Sequence, residues 1–362
     1  MTRTVITTSD AKAVKRWSAK LVTEVQKKSY FARKFIGEDE NSIIQRKSDL
    51  EGDAGDKVSF DLSVTLRGRP TVGDDRLLGN EENLRFFTDE VYIDQTRKSV
   101  SAGGKMTRKR TLHNLREVAL ARLSDYWKQY MDELFFIYLS GARGINEDFL
   151  EPTSWTGHAG NAITAPDTGH LFYGGNATQK SDVDTGDKLT RNNIENIVAE
   201  ARMMRSLDPS TANMCPVMTS GEGRYVLVMT PHQERDLRVS DSAGWLEIQK
   251  AAASAEGRDN PIFKGGLGMI NNVILHSHES VIRFNDYGAG AVEAARALFL
   301  GKQAGVVAFG MAGGLTFPWE EELIDFKNEP IFGSGTIIGV KKTRFNSKDF
   351  GVIAIDTASA PL

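Results

Sequence analysis

Cysteine is almost missing from this 362-residue chain, with Cys215 the single example. That excludes an intramolecular disulfide framework and any zinc site built from several thiolates of one chain. A lone thiol of this kind is expected as a small buried apolar residue in a reducing compartment. A dominant charge is missing as well. Lys and Arg number 45 against 48 Asp and Glu, a net charge of −3, so the basic excess of a dedicated nucleic-acid binder is absent and any DNA contact is local. Nowhere do about 18 apolar residues stand together. The opening MTRTVITTSD has no basic segment followed by an apolar one, which leads us to expect a soluble protein made in the cytosol with no membrane partner.

The signatures of catalysis and of cofactor binding are also wanting. Gly104-Lys105-Met106-Thr107 lacks the glycine five residues before Gly104 that a phosphate-binding loop requires, since Ser99 stands there. Gly265, Gly266 and Gly268 miss the dinucleotide fingerprint and read as a loop before a strand. Gly333-Ser334-Gly335 is preceded by Phe332 where a nucleophile elbow needs glycine. Asp49, Glu51, Asp53 and Asp56 suggest a calcium loop, but Ala54 occupies the sharp-turn position and no Glu closes the loop. A solvated turn is the better reading. His276 and His278 could share one strand face, yet two ligands do not make a metal site. No catalytic, cofactor-binding or metal-binding residue is therefore assigned.

What is present is organised around Thr107–Leu139, a stretch with no Pro or Gly. Leu112, Leu115, Ala119, Leu123, Tyr126, Tyr130, Leu134 and Tyr138 recur there at helical spacing. One helix of about 50 Å is predicted, far longer than the average globular helix. Thr107 or Asn114 can cap its start, Asn114 and Glu117 have capping-box spacing, and Gly141 fits a left-handed end. The cations Lys105, Arg108, Lys109 and Arg110 crowd its first turn, against the helix dipole. An acidic cover is expected over that end.

Charge changes sign along the chain. Residues 1–48 carry 11 Lys/Arg against 5 Asp/Glu, with Val14, Trp17, Leu21 and Val25 at helical spacing. Residues 49–95 hold 12 acids against 5 bases. There Val58–Leu66 alternates as a half-buried strand and Leu84–Ile93 reads as a second strand, joined by a turn-rich tip. Such a two-stranded excursion is only marginally stable alone, and its acidity predicts that it packs over the basic helix start of a neighbouring subunit. Residues 142–189 read as a polar surface excursion with at most short strands such as His170–Tyr173. A compact α/β region follows. It has a helix over Ile194–Ala201, a strand at Tyr225–Met229, a helix start at Thr230-Pro231, a strand-like Met269–His276, and apolar elements at Val292–Leu300 and Gly305–Phe309. The end reads as strands at Ile331–Phe332, Thr336–Lys342 and Val352–Ile355.

This order of parts, with specific motifs, resembles the major capsid protein of tailed double-stranded DNA bacteriophages, of the Hong Kong ninety-seven fold. The nearer resemblance is to the N-four-type branch of short-tailed phages. It is carried by Thr7-Thr8-Ser9-Asp10-Ala11-Lys12-Ala13-Val14 with Trp17, Gly55-Asp56-Lys57-Val58-Ser59-Phe60, Gly79-Asn80-Glu81-Glu82, Ile93-Asp94-Gln95 and Gly104-Lys105-Met106-Thr107 with Arg110. Leu78 departs from the pattern, standing where that branch has an acid. The resemblance implies an α+β fold with an N-terminal arm at 1–48 and an extended hairpin, the E-loop, at 49–100. It also implies a P-domain with a spine helix and the excursion after it at 101–190, an α/β A-domain at 191–318, and P-domain return strands at 319–362.

The function it implies is mechanical and not enzymatic. Copies form hexamers and pentamers of an icosahedral head around double-stranded DNA. Implied partners are a separate scaffolding protein, a portal at one vertex, a possible decoration protein and packaged DNA touched weakly and non-specifically. The chain would be made and assembled in the host bacterial cytoplasm and end in the virion. Expected interface residues are Arg67, Arg69, Asp74, Asp75, Arg76, Glu81 and Glu82 on the hairpin, and Lys105, Arg108, Lys109 and Arg110 at the helix start. No Lys occurs between Lys57 and Lys98, so the lysine–asparagine cross-link of some shells of this fold is not expected. The competing readings are a portal-like or decoration component of the virion and, further off, a soluble hydrolase.

Overall fold

The computed structural model describes residues 11–360 apart from 53, 64–65, 67, 112, 208–213, 220, 242–243 and 245–265, with helical side chains described over 18–204. Arg67, Leu112, Asp53, Gly265, the motif residues 7–10 and the side chains of Val14 and Trp17 lie outside the described residues. Helices α1 (Ala11–Lys28) and α2 (Tyr30–Lys34) lead into short strands β1 (Ile36–Gly37) and β2 (Ile44–Lys47). The hairpin strands β3 (Lys57–Ser63) and β4 (Phe86–Tyr92) follow, then β5 (Asp94–Ser101), α3 (Lys105–Arg110) and α4 (Leu115–Ser140). After them come β6 (Gly157–His158), β7 (Asn161–Ala162), β8 (Leu171–Tyr173), α5 (Arg191–Leu207), β9 (Val217–Thr219), β10 (Glu222–Met229) and α6 (Pro231–Ser240). The remainder is β-rich: β11 (Gly268–Ile270), β12 (Val273–Ser277), β13 (Arg283–Tyr287), β14 (Val292–Leu300), β15 (Gly305–Phe309), β16 (Trp319–Ile324), β17 (Glu329–Lys342), β18 (Arg344–Phe345), β19 (Lys348–Asp349) and β20 (Val352–Ala358).

The long helix is broken, contrary to the single element expected. Thr111 is extended (φ −99, ψ 142), and Asn114 restarts the helix by accepting from the Arg116 N–H. The break has an electrostatic reason. It moves Arg108, Lys109 and Arg110 from the start of one long helix to the last turn of α3, where the dipole favours cations, and leaves Glu117 in the first turn of α4. At the other end Gly141 (φ 68) takes the left-handed position and its N–H reaches Ile137 and Tyr138 carbonyls. A Cβ there would come within 2.1 Å of the Thr164 carbonyl oxygen, so only glycine fits.

Strand β17, 14 residues long, is the axis of a six-stranded sheet ordered β1-β2-β15-β17-β16, with β5 also paired to β17. It merges the two strands expected at 331–332 and 336–342. A second sheet of eight strands runs β11-β12-β10-β14-β20-β8, with β13 on β14 and β9 on β10. The sheets cut across sequence order. β15 leaves the α/β region for the first sheet, while β8 and the terminal β20 join the second. The expected strand over 269–276 is instead the antiparallel pair β11 and β12, turned at Asn271 and Asn272 (φ 43 and 65), two residues of the type that tolerates this turn. The polar excursion also does more than cover the surface, since Val183 and Leu189 are buried and β8 pairs in parallel with β20. Cys215 is half-buried rather than buried, because it sits just before the short outer strand β9.

Helix α4 joins these layers. Its first half is amphipathic, but Met131–Ser140 is buried on every side, as a helix covered on several faces must be. Arm residues Leu21, Val25, Phe31 and Phe35 share its core. Asp132 fixes this contact. Its carboxylate accepts from Ser29 Oγ at 2.7 Å, Tyr30 N at 3.0 Å and Phe31 N at 3.3 Å, and so caps α2 from another helix. Beside it Tyr30 packs against His278 with ring centroids 4.6 Å apart and against His276 at 6.0 Å. Both histidines therefore belong to an aromatic cluster around the arm.

Burial, then the Lys128 and Lys34 ammonium groups, push the His278 imidazole from 6.5 down to about 4. In that interval the unfolded chain takes up a proton that the folded chain refuses, so stability falls as pH drops from 6.5 towards 4. The loss is on the order of 3 kcal/mol at most. Asp132 and Glu133, held above the usual carboxylate range by burial, act with the opposite sign by gaining protons in the folded state first. His278→Gln should flatten the loss between pH 6.5 and 4, measured by denaturant melts across that range. An unchanged slope would refute the assignment.

Candidate subunit interface

The hairpin is built on an alternating strand pair. β3 and β4 pair antiparallel from Lys57↔Tyr92 to Ser63↔Phe86. Only its base is in the fold: Val58 and Val91 pack with Leu50, Val306 and Ala308. Polar bonds hold the same end. Asp89, buried at 8 % exposure, accepts from the Lys341 ammonium and from Arg344 N at 3.1 Å, while Lys341 also donates to the Glu90 carbonyl at 2.9 Å. Asn161 clasps the Tyr92 backbone, accepting from its N–H at 3.0 Å and donating to its carbonyl at 2.7 Å. Gly339 lets the strand come close, for a Cβ there would sit 2.0 Å from the Tyr92 oxygen.

Beyond Ser63 the hairpin leaves the body. Arg69, Asp74, Asp75, Arg76, Glu81 and Glu82 are all exposed on its tip. The tip's polar bonds among described residues are local, with Glu82 accepting from Gly68 N, Glu81 from Gly79 N and Asn80 donating to the Arg76 carbonyl. It is also apolar. Val72, Leu77 and Leu78 are 72 %, 67 % and 83 % exposed, and Leu66, Leu84 and Phe86 are exposed beside them. Six large apolar side chains within 21 residues of hairpin are a surface of the kind that marks an interaction site.

The second group of expected residues lies on α3, none of whose residues is buried. Lys105, Lys109 and Arg110 are exposed and Arg108 is half-buried, and among the described residues none of the four is in an ion pair. Within one copy the hairpin acids are not brought to these cations. What does hold α3 is the β16–β17 turn, where Asn328 Oδ1 accepts from Lys105 N at 3.1 Å and its carbonyl from Arg108 Nη2 at 2.9 Å. Sequence reasoning missed this turn and the Asp89–Lys341 bond. Nothing local signals the bond, because its partners are 252 residues apart.

Elsewhere no rival site is assembled. Among the described residues no group of three or more His, Cys, Asp or Glu side chains is placed to hold a metal ion, and no helix is long and apolar enough to cross a membrane. Ser334 Oγ accepts from the Trp127 indole at 2.7 Å, a packing role in place of a nucleophile's.

Removing the carboxylate at the hairpin base should free the hairpin without unfolding the body. Asp89→Ala is expected to raise amide exchange across β3 and β4 while Met131–Ser140 of α4 keeps its protection. Equal loss in both regions would show that Asp89 supports the whole fold.

Known proteins carry the same architecture. The sequence model of the family described as phage capsid protein matches residues 5–361. The major capsid protein of Pseudomonas phage KPP25 is 26 % identical over 357 residues, covering 91 % of each chain. Among solved structures, the capsid of Ralstonia phage GP4 is similar at 61 % identity with a TM-score of 0.90, covering 99 % of each chain. The capsid asymmetric unit of cyanophage Pam1 is similar at 25 % identity with a TM-score of 0.73, covering 92 % of this chain and 93 % of that one. These likenesses favour a capsid subunit over the portal-like and hydrolase readings. With its sheets and α4 in the Hong Kong ninety-seven arrangement, the chain belongs to the phage capsid protein family and is a structural, shell-forming component of a virion.

Proposed function

We propose that copies of this chain close into the hexamers and pentamers of an icosahedral head around double-stranded DNA, with the hairpin tip of each copy laid over α3 of a neighbour. The observation that carries this is the tip itself. It exposes apolar and acidic residues with no core behind them, and α3 exposes cations without ion pairs among the described residues. Contacts between two different surface patches are heterologous, and they close into rings when the rotation permits. Each is modest, and their sum over a shell is large.

In this reading 1–48 is the arm, 49–100 the E-loop, 101–190 with 319–362 the P-domain, and 191–318 the A-domain. Strand exchange knits the last two, as β15 goes to the sheet of β17 and β20 to that of β14. Arg67, Arg69, Arg76 and the four acids of the tip form one side of the contact; Lys105, Arg108, Lys109 and Arg110 form the other. The role is mechanical and not enzymatic. A separate scaffolding protein, a portal at one vertex and a decoration protein are its further partners, DNA is touched weakly, and assembly takes place in the host cytoplasm.

Asp74→Lys with Asp75→Lys should prevent shells from forming while the unassembled chain melts within about 0.5 kcal/mol of wild type. Adding Lys109→Glu with Arg110→Glu should restore them. The check is electron microscopy of the heaviest fraction after expression with the neighbouring phage genes, and normal shells from the first variant would sink the contact. Mature particles should also run as single chains on denaturing gels, since the tip has no lysine. A ladder of linked chains would contradict this.

A further inference from the structure

Large exposed apolar side chains gather in a second place among the described residues, the turn between β16 and β17. Phe326 is 102 % exposed there, with Leu323 at 51 % and Ile324 at 36 %. The backbone is unusual too. Asp325, Phe326 and Lys327 take φ of 51°, 48° and 65° in succession, a left-handed run that side chains with a Cβ disfavour. Such a conformation persists only when its surroundings fix it, and here they do. Asn328 N reaches the carbonyls of Ile324 at 3.1 Å and Asp325 at 2.9 Å, and its side chain donates to Asp325 Oδ2 at 3.0 Å. The same residue carries the bonds to Lys105 and Arg108, so the turn and α3 form one rigid piece. Strain and full exposure of a phenyl ring both oppose the stability of a single copy.

We propose that Phe326 is an apolar anchor covered, in the shell, by Val72, Leu77 and Leu78 of the hairpin tip of a second copy. The inference rests on the reading of the tip as a contact between copies and adds shape to its charge. Three observations select this occupant. The chain belongs to a shell-forming family, so a second copy is at hand. The two apolar clusters have rims of opposite sign, Asp74, Asp75 and Glu81 around one and Lys105, Lys109 and Arg110 beside the other. Finally, Leu78, which stands where the resemblance leads one to expect an acid, is the most exposed of the tip's apolar residues at 83 %. An apolar contact has taken the place of an ion pair at that position.

Phe326→Gly separates the anchor from the fold, because glycine accepts the left-handed turn. In the full chain it should leave the melting temperature equal or higher, yet raise the concentration at which shells appear by at least about tenfold. Assembly at the wild-type concentration would overturn the proposal. In a Cys215→Ser background, Phe326→Cys with Leu78→Cys should form interchain disulfides in oxidised shells and none in unassembled chain. Equal cross-linking by Phe326→Cys alone would mean that the turns meet one another, and would also overturn it. The charge variants of the preceding section distinguish the two readings. If Asp74→Lys with Asp75→Lys assembles normally while Phe326→Gly does not, the electrostatic contact fails and the anchor stands; the reverse pattern removes the anchor alone.

Discussion

The structure depends on the complete burial of the second half of α4. A helix enclosed on all sides has to satisfy its ends inside the protein, and this one does so with groups from both sheets. Arg296 of β14 donates to the Ser140 carbonyl at 2.9 Å and, through the same guanidinium, to Asp356 of β20 at 2.7 Å. A cation at a helix C-terminus is favoured by the dipole, and the buried carboxylate keeps the pair neutral. Burial disfavours the Arg296 charge, but Asp356 more than offsets this and raises its pKa. On the opposite face Trp127 reaches β17 through Ser334, and Asp132 draws in the arm. Arm, both sheets and hairpin base are thus fixed to one rod.

What projects from that rod is designed for neighbours. The hairpin has its polar and apolar attachments within its first and last few pairs, and its remaining residues contribute little to a single copy. The β16–β17 turn lies at another extremity and is stiffened through α3 rather than through a core. Rigid presentation matters in a shell, since a flexible contact would surrender side-chain and loop entropy at each interface. The absence of a convergent polar pocket fits the same picture: the chain's chemistry is spread along its edges.

Much of this was legible in the sequence. The alternation of Val58–Leu66, the glycine-free run ending at Gly141, the Thr230-Pro231 helix start and the reversal of charge between arm and hairpin are local patterns, and local physics fixes them. The capping box at Thr230 and Gln233 forms as such patterns require. The acidic tip and basic α3 were likewise readable as charge, though not as shape.

The tertiary structure decided the rest. Periodicity indicated one long helix, yet the break at 111–114 follows from where cations sit in a dipole and from the β16–β17 turn that receives α3. Sequence order suggested contiguous regions, but β15 and β20 cross between sheets because apolar strands pair wherever an edge is open to them. Asp89 with Lys341, Asp132 with Ser29, and Arg296 with Asp356 are each separated by 60 residues or more, and no spacing rule joins such partners. Sequence alone determined which segments are helical, extended, acidic or basic, since those properties depend on near neighbours. Which buried charges meet, and which apolar residues stay uncovered, depends on contacts distant in the chain, and only the folded structure settles them.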